Sequence, residues 1–188
     1  MKLSILILFL ICSLNARAQT RYIDRGGKAS FFSSAPMEDI KAETDQALSI
    51  LDIKTGEIAA SMLMRSFNFK KALMQEHFNE NYVESDKYPR ATFKGTITNI
   101  DQLDVHKDGV YSLNITGQIT IHGVTKPLNV TGEAVVDKGA IKAKAFFPLA
   151  VKDFDIEIPR LVVMNIAEQV EVTVSFTYTP MDDASMKK

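Results

Sequence analysis

The chain has 188 residues with 22 basic and 23 acidic side chains, close to neutral. It carries no basic stripe of the kind that tracks a phosphate backbone, so nucleic acid is set aside as a partner. Its one cysteine, Cys12, lies in a segment expected to be removed, which excludes disulfides, thiol nucleophiles, iron–sulfur clusters and cysteine-ligated zinc from the mature protein.

Lys2, the apolar run from Leu3 to Leu14 and the small-x-small triplet Ala16-Arg17-Ala18 read together as a signal peptide over residues 1–18, cleaved after Ala18. The apolar run is about 12 residues, well short of the roughly 20 that cross a bilayer as a helix. A lipid anchor on Cys12 is disfavoured because Ile11 stands where that pattern needs a small residue. Removing the leader also removes Lys2 and Arg17, leaving 20 basic against 23 acidic groups. What remains is read as one domain over 19–180 with a polar tail over 181–188. The expected location is periplasmic or secreted, without stable membrane insertion, and a homodimer stays open.

In the first half, strands are expected at Lys28–Ser33, Ile40–Thr44, Leu48–Asp52 and Gly56–Met64, punctuated by Gly26-Gly27, Pro36 and Thr55-Gly56. One short amphipathic helix is expected over Lys70–Asn79, where Leu73, Met74, His77 and Phe78 share a face. From about Ala91 the period becomes two. Tyr111, Leu113, Ile115, Gly117, Ile119 and Ile121 face one way while the polar residues between them face the other, an arrangement that only a strand can produce. His122 and Gly123 then fall at a hairpin tip, and Pro127–Val136 resumes the alternation. Asp137-Lys138-Gly139 turns the chain into a strand carrying Ile141, Ala143, Ala145 and Phe147. Asp153, Asp155 and Glu157 alternate along what reads as a short extended edge, more economically a solvated run than a calcium site. The last strand sorts Val170, Val172, Val174, Phe176 and Tyr178 from Glu171, Thr173, Ser175, Thr177 and Thr179.

About eight strands, each with one apolar face, plus one helix leave a two-sheet sandwich or a closed barrel. Three stretches in register bear on that choice. Leu73-Met74-Gln75-Glu76-His77-Phe78, Lys87-Tyr88-Pro89-Arg90-Ala91-Thr92-Phe93 and Gly117-Gln118-Ile119-Thr120-Ile121-His122-Gly123-Val124-Thr125-Lys126-Pro127 resemble elements of the YceI-like family. A fourth, Lys152-Asp153-Phe154-Asp155-Ile156, is similar except that Asp155 replaces a glycine. The resemblance implies an all-β, antiparallel, lipocalin-like barrel with the helix near its mouth. It also implies association with a polyisoprenoid or other amphiphilic lipid.

An eight-stranded barrel either fills its interior or leaves room for one small ligand. Glycines at 95, 117 and 132 on the inward face are expected to leave space along the axis. Candidates for the lining and mouth are Met62 and Met64, then Leu73, Met74, His77 and Phe78 on the helix. Along the later strands they are Phe93; Leu113, Ile115 and Ile119; Leu128 and Val130; Phe146 and Phe147; and Val172, Val174 and Phe176. Lys70 and Lys71, at the expected helix start, are candidate contacts for an anionic head group. His122 is read as turn architecture and His77 as packed beneath the helix. No HExxH spacing, metal set or Gly-x-Ser-x-Gly elbow is present. The leading expectation is non-catalytic carriage or storage of an apolar amphiphile such as an isoprenoid or quinone-like lipid, with no other cofactor. The alternatives are an enzyme using His77 or His122 at the mouth, and an interaction module with a filled core.

Overall fold

A computed structural model describes residues 20–34, 36, 38–158 and 167–181. The expected leader, and the tail from residue 182, lie outside that range. Nine strands occur in chain order: β1 (Arg21–Ser34), β2 (Asp39–Asp52), β3 (Glu57–Leu63), the two-residue β4 (Asn68–Phe69), β5 (Arg90–Ile97), β6 (Gly109–Ile121), β7 (Val124–Asp137), β8 (Ala140–Ala150) and β9 (Gln169–Pro180). Among the described residues one α-helix, α1 (Ala72–His77), sits between β4 and β5. Every pairing is antiparallel, in the order β1-β9-β8-β7-β6-β5-β3-β2, and β2 returns to β1. Eight strands therefore close into a barrel, which removes the exposed edges an open sheet would leave. Strand β4 only extends β2, through Ala42 opposite Phe69.

The later strands fall where the period-two pattern puts them, but the first half differs from expectation. Ile40–Thr44 and Leu48–Asp52 are one strand, and Gly26-Gly27 lies inside β1. The register shifts twice here, between Asp24 and Gly27 and between Gly27 and Ala29. Each bulge changes which parity faces inward: Ala42 and Thr44 are buried on one side of it, Ala47, Ser49 and Leu51 on the other. A reader following one alternation sees a break where the chain runs on. The bulge in β1 is held by Asp24, whose carboxylate accepts the Gly26 amide at 2.8 Å and the Thr177 amide at 2.6 Å. Gly27 is required there, because a Cβ would stand 2.3 Å from the Phe176 ring.

One end of the barrel is solid. Leu51, Ile97, Val136, Ile141 and Tyr178 are fully buried together, and Leu103 and Val105 from the β5–β6 connection fold in beneath them as a plug. A short polar relay crosses this apolar floor. The Ser49 hydroxyl donates to the Ala59 carbonyl at 2.9 Å, which leaves the Tyr178 hydroxyl to donate to Ser49 Oγ at 2.7 Å. Burial holds the Tyr178 phenol protonated, its pKa pushed far above the usual value.

The relay sets an order of costs. Tyr178→Phe removes one hydrogen bond and orphans nothing, so it should cost about 1 kcal/mol in urea unfolding, whereas Ser49→Ala strands a buried phenol and should cost roughly 1–3 kcal/mol. The double variant should be less destabilised than the sum of the two single variants.

Candidate functional site

Toward the other end, the side chains that alternate inward do not meet. They enclose a cavity of about 540 Å³ that opens past α1 and is blind at the solid floor. Met62 from β3, Met64 from the 3₁₀ turn Met64–Ser66 that follows it, Phe93 from β5, Ile115 and Ile119 from β6, Leu128 and Val130 from β7, Phe147 from β8, and Val172, Val174 and Phe176 from β9 form its wall. Helix α1 contributes Leu73, Met74 and His77, and Phe78 follows at the start of a π-helical turn over Phe78–Tyr82. The opposite side of the mouth is a 3₁₀ turn, Val151–Phe154, which inserts Phe154.

Four phenylalanines gather at the mouth. Phe78 lies 5.5 Å from Phe31, 6.0 Å from Phe67 and 5.0 Å from Phe69, centroid to centroid, and Phe31 lies 5.6 Å from Phe67 and 5.8 Å from Phe69. Stacked, tilted and edge-on pairs of this kind contribute about 0.5–1.5 kcal/mol each beyond their burial. They pin the short helix to the barrel although no side chain caps its start. Phe31, Phe67 and Phe69 were not anticipated. They sit on a bulged strand, after a 3₁₀ turn and in a two-residue strand, where no period marks them.

Several expected positions lie elsewhere. Phe146 points outward and is 54% exposed, because Phe147 beside it points in and neighbours on a strand take opposite faces. Leu113 is buried in the solid end rather than on the cavity wall. The helix begins two residues later than expected, with Lys71 still extended as its N-cap. Lys70 does not line the cavity; Lys71 does, but its ammonium is paired with the Glu38 carboxylate. His77 is exposed at the rim rather than packed under the helix, and Leu73 is 60% exposed. Nor do the glycines leave a void. A Cβ on Gly95 or Gly117 would stand 2.7 Å from the Phe93 ring, so the two glycines form a seat for that ring. The carboxylates are not on an extended edge, since Asp153 lies in the 3₁₀ turn and Asp155 takes a left-handed φ of 53° where the resembled motif has glycine. Among the described residues no group of three or more His, Cys, Asp or Glu side chains could hold a metal ion.

His122 occupies the tip of the β6–β7 hairpin with φ 52°, followed by Gly123 at φ 77°, the left-handed pair that a two-residue hairpin turn demands. Its Nδ1 lies 3.0 Å from the Phe154 carbonyl oxygen and its Nε2 2.8 Å from Glu84 Oε2, while Tyr88 packs edge-on at 4.6 Å. Phe154 and the segment before Glu84 both line the mouth, so one imidazole bolts together its two sides. A carbonyl and a carboxylate can only accept, so both bonds form together only when both ring nitrogens carry protons. The imidazole is 11% exposed and lies off the cavity wall, with both nitrogens committed to the fold.

Closed eight-stranded antiparallel barrel, solid floor, blind apolar cavity and aromatic mouth define a lipocalin-like barrel. Residues 27–178 match the YceI-like domain, and the chain belongs to that family. A polyisoprenoid-binding domain from Saccharophagus degradans superposes with a TM-score of 0.74 at 13% identity, covering 87% of this chain and all of that one. BcnA of Burkholderia cenocepacia gives 0.67 at 16% identity over 81% of this chain and 96% of its own. A YceI protein of Campylobacter jejuni gives 0.54 at 15% identity over 73% and 81%. These likenesses establish the fold. A UPF0312 protein of Vibrio parahaemolyticus is 38% identical over 55 residues, 29% of this chain and only a quarter of that relative's length.

The bolt makes stability depend on acid. The hydrogen bond from His122, opposed in part by desolvation and helped by the charges of Lys87 and His122, holds the Glu84 carboxyl below its usual range. Its stabilising contribution is therefore present above the unfolded carboxyl's pKa near 4.5 and is lost as pH falls through the lower folded value. His122→Ala should return the Glu84 titration, followed by its side-chain carbonyl ¹³C shift, toward the ordinary range.

Proposed function

We propose that the protein holds the apolar tail of a single amphiphile inside the barrel and shields it from water, as a carrier or store rather than a catalyst. The observation that carries this reading is the blind cavity of about 540 Å³, walled almost wholly by aliphatic, methionine and phenylalanine side chains. Such a wall suits a hydrocarbon chain, and its methionines adapt to a flexible one. The polyisoprenoid-binding neighbour from Saccharophagus degradans supports a lipid of that class, with quinone-like and other single-chain lipids as relatives in chemistry. The leader expected over residues 1–18 supports export, and with it an encounter outside the cytoplasm.

Magnitudes agree with a long tail. Transfer contributes roughly 0.8 kcal/mol for each CH₂ buried, against an association cost of about 4–15 kcal/mol, so tails of only five or six carbons should not be retained.

Organic extraction of protein purified from its native host, followed by mass spectrometry, should release one amphiphile in near-stoichiometric amount; an empty barrel contradicts the proposal. In a series of primary alcohols, affinity should climb up to about fourfold per added CH₂ and level off near the length that reaches the floor. Val130→Trp, which places a large ring in the empty space, should cut retention at least tenfold while leaving the thermal transition within a few degrees.

A further inference from the structure

Among the described residues, the ionisable side chains on the cavity wall are Glu38, Lys71, His77 and Tyr82, and the others are apolar apart from a few hydroxyls. Lys71 is the cation that an anionic head group would seek. It already donates to Glu38, a residue from the segment leading into β2, the strand that β4 pairs with just before the helix. The Glu38 side chain is 28% exposed and the Lys71 side chain 61%. An ion pair this wet adds little to folding, but it decides what charge the mouth presents. The ammonium is neutralised, and a second anion arriving there meets a carboxylate. It would also shed hydration beside an ion pair that carries no net positive charge to compensate. A hydroxyl or carbonyl meets neither obstacle. It can accept from Lys71 or, as a hydroxyl, donate to Glu38. Ser33 adds to this: its Oγ accepts the Ala167 amide at 2.9 Å and retains its own proton to donate.

Building on the tail-binding reading, we infer that Glu38 sets head-group specificity, so that the barrel takes single-tailed lipids with an uncharged hydrogen-bonding head, such as a prenyl alcohol or quinone, and discriminates against the phosphorylated lipid of the same tail. Glu38 is a specificity residue acting through Lys71. Discrimination of this kind works by a penalty on the wrong ligand rather than an added contact to the right one.

The test uses two probes with one tail, geranylgeraniol and geranylgeranyl monophosphate, each kept below its micellar concentration and titrated against bound N-phenyl-1-naphthylamine. The wild-type protein should bind the alcohol about tenfold more tightly than the phosphate. Glu38→Gln should narrow that ratio to within about twofold by tightening the phosphate alone, and Lys71→Gln should widen it. Equal or tighter phosphate binding by the wild type, or a ratio unmoved by Glu38→Gln, overturns the inference and leaves tail binding intact. If neither probe displaces the dye from any variant, the tail-binding reading itself falls, and the inference with it.

Discussion

Closure of the sheet is the constraint from which the other features follow. Once β1 pairs with both β2 and β9, every inward side chain belongs to one interior, and its cross-section is set by the strand number rather than by the side chains available. At one end large residues and the inserted β5–β6 connection fill that section. At the other the same wall surrounds open space. Filled and empty halves are thus one architecture with different side chains.

The open half needs its rim held without covering the mouth. Two devices do this, and each comes from a part of the chain remote from the other. The phenylalanine cluster fastens the helix, while the hairpin-tip imidazole ties the segment after the helix to the 3₁₀ turn across from it. Both stand beside the cavity, so the rim is rigid where the wall is soft. The Lys71–Glu38 pair adds a third tie, between the start of the helix and the segment leading into β2.

Legibility in the sequence followed the physics of alternation. Strands β6 to β9 were readable because an unbroken period of two has only one structural meaning, and most of the cavity wall came with them. Phe146 was misassigned for the same reason in reverse, since two adjacent phenylalanines look alike until parity is enforced. In the first half, bulges changed the parity inside single strands, so one strand read as two. The glycines were misread because a missing Cβ can admit a neighbour's ring as readily as it leaves a void, and Phe93 was that neighbour. What sequence could not supply were contacts across long separations: Glu38 on Lys71, Glu84 on His122, and Phe31 on Phe78. The family resemblance carried the choice of barrel over sandwich, which the alternation alone left open.

The central claim is that a hydrocarbon tail lies inside the barrel with its end on the floor. A crystal structure with 12-bromododecan-1-ol tests it directly through the anomalous signal of bromine. The account expects a peak at the blind end beside Phe93 and Phe176, with the hydroxyl at the rim near Lys71 and Glu38. Bromine found only outside the barrel, or at the mouth with the chain reversed, contradicts it.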